Sequence, residues 1–279
     1  WAGYYAFAKD MEKVCEHYAS MGVKGFKIDF MDRDDQPMVD FHYQAAAIAA
    51  KHQLIIDYHG THKPAGLNRT YPNVLNFEGV HGLEQMKFSS NIDIDQVTYD
   101  VTMPFIRMIS GPVDYTQGAM RNSNKANFRT IGAEPMSQGT RCRQLAEYVV
   151  FESPLNMLCD SPTLYEKESE CTQFIVGVPT VWDKTIALNG EIAKYVAIAR
   201  KKENDWYLGA LTNWDARTIE LDLSFLENGN WKAEIFLDGI NANKIASDYK
   251  KEIVTVPSNR KMSISMASGG GCAIKFYKQ

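Results

Sequence analysis

Between residues 22 and 78, three short apolar runs each end in a polar residue, and loops or helical segments separate them. The first, Gly22-Val23-Lys24-Gly25-Phe26-Lys27-Ile28-Asp29-Phe30, is entered through glycine and carries an acid near its end. Leu54-Ile55-Ile56-Asp57-Tyr58-His59 and Val74-Leu75-Asn76-Phe77-Glu78 repeat the pattern. Residues 5–20 show Met11, Val14, Cys15 and Tyr18 at helical spacing. Residues 36–52 read as a second helix, with Pro37 suited to its first turn and Ala45 to Ala50 propagating it. Strand, loop and helix in alternation imply a parallel α/β sheet. In a β/α barrel, polar groups at strand ends form the active site. An open doubly wound sheet would also place chemistry there, but no GxGxxG or Walker loop is present to bind a nucleotide.

The middle of the chain is less regular. Met103 to Ile109 is apolar and helical in pattern, Ser110 to Tyr115 reads as a strand or strand-end loop, and Arg141 to Phe151 reads as a helix. Met157-Leu158-Cys159-Asp160 has the texture of a last barrel strand. About five barrel strands are readable where about eight are needed. From Tyr195 onward, short alternating β runs are divided by turns such as Asn228-Gly229-Asn230, the pattern of an antiparallel sandwich. The expected fold is therefore α/β: a (β/α)8-type barrel, N-terminally incomplete, over residues 1–190, then a C-terminal antiparallel β-sandwich over 191–279.

Composition excludes several classes. A formal net charge of −4 over 279 residues argues against a nucleic-acid partner. No run of about eighteen apolar residues exists, so no membrane span is expected. The five cysteines are widely spaced without a CxxC pair, which reads as packed free thiols rather than zinc ligands or a disulfide framework. No GxSxG elbow and no HExxH helix appear. The chain opens Trp1-Ala2-Gly3-Tyr4, without Met or a signal-peptide pattern, and reads as cut from something longer.

The segment from Gly22 through Asp29 to Gln36 resembles the strand-four region of glycoside hydrolase family 97. Asn76-Phe77-Glu78-Gly79-Val80-His81-Gly82-Leu83-Glu84 resembles that family's acid-bearing segment, and Ala210-Leu211-Thr212-Asn213-Trp214-Asp215 its C-terminal sandwich. The family holds inverting α-glucosidases, with a base glutamate just after the strand-five histidine, and retaining α-galactosidase-like members that use a strand-four aspartate as nucleophile. Here the strand-five segment reads Tyr58-His59-Gly60, so the inverting base is absent and the chain is similar to the retaining branch. The resemblance implies an exo-acting α-glycosidase, most simply an α-galactosidase, taking an oligosaccharide or α-galactoside. It implies a calcium ion held by Glu78 and Glu84, a further N-terminal domain in the parent protein, and a periplasmic location.

Retaining hydrolysis needs an ionised carboxylate to attack the anomeric carbon and a protonated one to serve the leaving oxygen, about 5–5.5 Å apart. Asp29 is the expected nucleophile and Glu84 the expected acid/base. Lys27 shares the face of Asp29 at period two and is expected to keep it ionised. A strand-end Asp that merely caps a loop, and a Glu that sits at a helix start, are the competing readings. Calcium ligation at Glu84 would lower its pKa, opposite to what a general acid requires. Glu78 fits calcium or a carboxylate bonded to backbone amides. His59, Lys27, Asp32 and Arg33 are expected to contact the sugar, against a satisfied barrel-mouth His and a solvated charged loop at 32–35. Trp1, Tyr4 and Tyr58 would stack on a sugar or pack in the core. An α-glucosidase that keeps the Asp nucleophile and a non-catalytic carbohydrate-binding fragment are the other functional readings.

Overall fold

The computed structural model describes residues 1–88, 90 and 92–279. Two compact units emerge from the chain contacts. The first comprises Trp1–Gly82, Arg107–Tyr115 and Glu152–Met157, and the second Leu83–Ile106, Thr116–Phe151 and Leu158–Gln279.

In the first unit, β1 (Ala2–Gly3), β2 (Gly25–Asp29), β3 (Ile55–Tyr58) and β4 (Val74–Phe77) form a parallel sheet in sequence order. Val113 extends it by an isolated parallel bridge to Phe77. The helix Gln36–Lys51 crosses from β2 to β3; the Asp35 side chain caps it by accepting from the Met38 amide, and Pro37 sits in its first turn. Its buried residues Met38, Phe41, His42, Ala45, Ala46 and Ala49 follow the helical period. The apolar ones join one core with Phe26, Ile28, Ile56, Tyr58, Val74 and Phe77 from the sheet. Burial of each large apolar side chain contributes about 1.5–3 kcal/mol. The alternate strand residues therefore face away from this core, and these carry the polar groups.

Among the described residues the parallel sheet has four strands and one bridge, against about five strands readable in the sequence. Two expectations are corrected here. Residues 5–20 form two helices, Tyr4–Phe7 and Met11–Ser20, broken at 8–10. Met157 to Asp160 forms no strand: Asp160 turns its carboxylate to the Met120 amide, 2.8 Å away, and the Ser161 amide.

In the second unit a short parallel pair, β5 (Asn122–Ser123) and β6 (Ser137–Gln138), precedes eight antiparallel strands. These are β7 (Lys184–Glu191), β8 (Tyr195–Lys202), β9 (Asp205–Thr212), β10 (Arg217–Asp222), β11 (Trp231–Asp238), β12 (Tyr249–Thr255), β13 (Lys261–Met266) and β14 (Gly271–Lys278). Six pair in the order β12-β11-β14-β9-β8-β7, and β10 pairs with β13. One core draws Ala197, Trp206, Leu208, Trp231 and Ile274 from the large sheet and Ile219, Leu221, Ile264 and Met266 from the small one. The helix Arg141–Val150 is buried along its whole length and packs on β9 and β14. Gly209 permits this approach, since a Cβ there would stand 2.6 Å from the Ala146 carbonyl oxygen. The compact unit consequently takes in residues well before 190, and β7 already begins at Lys184. All five cysteines are free, four of them buried. No helix among the described residues is long and apolar enough to cross a membrane.

Candidate active site

The register of β2, β3 and β4 stacks the polar face of the first unit in two tiers. Lys27 lies opposite Asp57, and Asp57 opposite Asn76. One alternation further, at the C-terminal strand ends, come Asp29, His59 and Glu78. Asp114, next after the bridged Val113, donates its amide to the Phe77 carbonyl and joins the same face. Tyr58 and Phe77 fall on the opposite face, in the core; the Tyr58 hydroxyl donates to the His42 carbonyl at 2.8 Å, so Tyr58 is a packing residue and not a sugar platform.

Asp29 is half-buried at the end of β2. Its Oδ1 accepts from the Phe30 amide at 2.6 Å and its Oδ2 from the Trp1 indole at 3.1 Å. Gly60 lies directly against it. A Cβ on residue 60 would stand 2.7 Å from Asp29 Oδ1 and 2.8 Å from the Phe30 nitrogen, and Gly60 has φ +58°. Any side chain at 60 collides with the Asp29 carboxylate and strains the backbone. The two positions compete for one volume.

The turns that follow the strands are tied together. The Gly60 amide donates to Glu78 Oε2 at 2.7 Å, and the Asp32 amide donates to the Gly60 carbonyl at 2.7 Å. Phe30 and Asp32, in the turn after Asp29, both have positive φ, 70° and 49°, uncommon for such residues. Arg107, 6% exposed, spreads its guanidinium over five backbone carbonyls: Phe77, Glu78, Gly79, Gly111 and Pro112, at 2.9–3.1 Å. It thereby stitches the turn that carries Glu78 to the segment that carries Asp114.

Asp114 Oδ2 is the hub of the buried polar set. It accepts from Lys27 Nζ at 2.6 Å and from His59 Nδ1 at 2.7 Å. His59 Nε2 lies 3.3 Å from Glu78 Oε1. Burial alone would raise the Asp114 pKa, but the His59 and Lys27 bonds outweigh it and hold the carboxyl below its usual range. Asp57 behaves oppositely: full burial, with the Asp114 charge adding to it, pushes its carboxyl well above the usual range. Lys27, expected to serve Asp29, pairs with Asp114 at 2.6 Å. Along a strand, same-face neighbours are about 7 Å apart, and the flexible Lys side chain reaches sideways rather than forward.

Asp32, Arg33, Asp34, Gly60, Thr61, His62 and Glu78 line an open pocket of about 310 Å³ beside this set. Arg33 is exposed and donates through Nε to Asp35 Oδ2 at 3.0 Å. Glu84 belongs to the second unit, on the 3₁₀ helix Leu83–Lys87, a third exposed and 3.6 Å from Lys87 Nζ.

Comparison with known proteins places this arrangement. The family model described as glycoside hydrolase 97 matches residues 1–80, and the one described as glycosyl-hydrolase 97 C-terminal, oligomerisation, matches residues 181–277. The chain belongs to glycoside hydrolase family 97. A retaining alpha-galactosidase of Bacteroides thetaiotaomicron is 61% identical over 275 residues, 99% of this chain and 41% of that protein. A family 97 enzyme of Pseudoalteromonas sp. strain K8, solved in complex with acarbose, superposes with a TM-score of 0.86 at 32% identity, over 98% of this chain and 45% of that one. A beta-arabinopyranosidase structure superposes with a TM-score of 0.82 at 25% identity, over 95% of this chain and 41% of that one. The chain thus spans about two fifths of the curated relative's length.

In family 97 terms, the structure gathers Lys27, Asp29, His59, Glu78 and Asp32 around the ends of three adjacent strands. Sequence reasoning missed Asp57, Asp114 and Arg107. The only signal for Asp57 is its period-two spacing from His59 within an apolar run. Asp114 offers just its place after Pro112-Val113. Arg107 is hidden inside a helical pattern.

Proposed function

We propose that this family 97 chain carries the catalytic machinery of a retaining exo-α-glycosidase, an α-galactosidase, with Asp29 as nucleophile and Glu84 as acid/base. The observation that supports this reading is the contact between Gly60 and Asp29. A base glutamate at position 60 and an aspartate at 29 exclude one another sterically, since a Cβ at 60 falls 2.7 Å from Asp29 Oδ1. A water-activating carboxylate at 60 is replaced by a carboxylate that attacks directly. The Phe30 amide and the Trp1 indole bond the two Asp29 oxygens and fix the orientation of the carboxylate.

Attack by Asp29 on the anomeric carbon breaks the glycosidic bond as Glu84 gives its proton to the leaving oxygen. The sugar is then held as an ester of Asp29; Glu84 takes a proton from a water whose oxygen attacks the anomeric carbon, the ester bond breaks, Asp29 leaves as a carboxylate, and the sugar is released with its configuration kept. Lys27, His59 and Asp32 are the groups we assign to the sugar hydroxyls, with the exposed Arg33, bonded to Asp35, at the rim. The four parallel strands fit a segment of a (β/α)8-type barrel. Glu78, a buried carboxylate fixed by the Gly60 amide, has the hard oxygen donors that calcium prefers, and we assign it with Glu84 to that ion. Calcium, when bound, fixes these carboxylates and offsets their charge. A periplasmic location accompanies the family likeness and is checked by cell fractionation.

The test uses nitrophenyl α-galactoside, α-glucoside and β-L-arabinopyranoside, the last sharing the ring hydroxyl pattern of α-galactose without its C6 group. The full-length protein should prefer the galactoside, and the Asp29→Ala variant should be inactive. Azide should restore turnover of that variant and yield the β-galactosyl azide. Full activity in Asp29→Ala excludes the nucleophile, and loss of hydrolysis of all three glycosides in the wild type would leave a carbohydrate-binding role.

A further inference from the structure

Asp57 is the least comfortable group in the first unit. It is 0% exposed, and among the described residues neither carboxyl oxygen has a hydrogen-bond partner. A second buried carboxyl, Asp114, acts on it through its charge and its side chain; Asp114 is 1% exposed, and among the described residues its Oδ1 likewise has no partner. All the bonds to Asp114 fall on its other oxygen, from Lys27 and His59. Across β4 the neighbour of Asp57 is Asn76, a neutral amide whose Nδ2 is spent on Ser153 Oγ and the Leu155 carbonyl. The charged groups facing Asp57 are thus Asp114, Lys27 on β2 and His59 after β3, with Glu78 beyond His59.

Two ionised carboxylates side by side in such a space, with no donor on three of their four oxygens, are strongly disfavoured. One proton removes the conflict. Placed on Asp57, it makes that residue a donor toward Asp114 Oδ1, and one hydrogen bond then serves both carboxyls. Asp114 keeps a full negative charge on the oxygen that holds Lys27 and His59.

We propose that Asp57 and Asp114 share one proton, carried by Asp57, and that this singly charged pair is the positioning device for Lys27 and His59. Asp57 touches neither Lys27 nor His59 through a hydrogen bond and acts through Asp114; both are positioning residues. The pair fixes which His59 nitrogen carries a proton, because Asp114 accepts from Nδ1, and leaves Nε2 to face the Glu78 side. It also holds the Lys27 ammonium at Asp114 Oδ2, 2.6 Å away. This assignment rests on the glycosidase reading only for its kinetic consequence; the shared proton stands or falls by itself.

The asymmetry of the pair gives the test. Asp57→Asn is isosteric, and its amide donates to Asp114 Oδ1 as the carboxyl proton does. In the full-length protein it should keep kcat/KM within about threefold. Asp114→Asn loses the charge where it is needed, and should cost about a hundredfold in kcat/KM, with kcat falling as well as KM rising. Infrared difference spectra of wild type minus Asp57→Asn at pH 7 should show one protonated-carboxyl C=O band. That band reads the proton without any substrate, so it remains informative if the glycosidase reading fails or Asp114→Asn does not fold. Asp57→Asn should also raise the wild-type melting temperature at pH 7, with the gain vanishing toward pH 4. Absence of the infrared band, or equal damage from Asp57→Asn and Asp114→Asn, overturns the shared proton.

Discussion

Acidification should weaken the first unit through one imidazole, that of His42. This residue is 1% exposed within the helix Gln36–Lys51; its Nδ1 bonds the Met38 carbonyl at 2.8 Å and its Nε2 meets the Thr61 hydroxyl at 3.0 Å. Burial, with the neighbouring His62 adding to it, lowers its pKa from 6.5 to about 4. In the unfolded chain the group takes up a proton near 6.5, while the folded chain refuses it until about 4. Stability is therefore full above pH 6.5 and falls as pH drops toward 4, by about 1.4 kcal/mol per unit at the steepest. The total is about 3 kcal/mol, a large share of the stability of an ordinary domain. Asp238, whose pKa burial raises to about 6, works in the opposite sense over part of the range and partly masks the effect in the wild type. The assay is urea denaturation at half-unit steps from pH 7 to pH 4, for the wild type and for His42→Gln. The variant starts less stable through its altered packing, but the gap between the two curves should narrow by about 3 kcal/mol toward pH 4. Curves that run parallel over the whole range refute the assignment, since His42 would then protonate as freely folded as unfolded.

Other outcomes follow from the same geometry. Gly60→Ala should cost at least tenfold in kcat and about 1 kcal/mol in stability, because its Cβ would meet Asp29 Oδ1 at 2.7 Å at a positive φ; kinetics and a melting curve check both. Arg107→Lys should lower stability by about 3 kcal/mol and reduce kcat, since an ammonium cannot span five carbonyls; calorimetry reads the first and nitrophenyl galactoside the second. Glu147 is buried beside Asp100, and burial and then the Asp100 charge raise its pKa well above 4.5. Its raised value means that stability is full at low pH and declines as pH rises above about 4.5, so Glu147→Gln should match or exceed the wild type at pH 7 and lose that advantage near pH 4. A calcium chelator should lower activity, and added calcium should restore it, whereas Glu78→Gln should blunt the response to both.

Much of the fold is legible where burial leaves a period. The strands β2, β3, β4, β8, β9, β11 and β14 announce themselves as apolar or alternating runs bounded by glycine and turn residues. By contrast β7, β12 and β13 carry few buried side chains, with β7 mostly exposed, and their sequences give little pattern. Met157 to Asp160 shows the reverse error: an apolar run that forms no strand because Asp160 closes a loop on the Met120 amide. In the site, Asp29, His59 and Glu78 are readable because each ends an apolar run. Asp57 and Asp114 are not, because their chemistry comes from being buried against one another, with residues 58–113 between them. The pairing of Lys27 likewise depends on strand register, which no local pattern in β2 specifies.

The catalytic assignment turns on what happens at the anomeric carbon when the attacking group is removed. Asp29→Ala, given azide and an activated α-galactoside, should release β-galactosyl azide, because the small anion enters from the side the carboxylate has vacated. An α-azide, or the unaltered release of galactose by that variant, would contradict direct attack by Asp29.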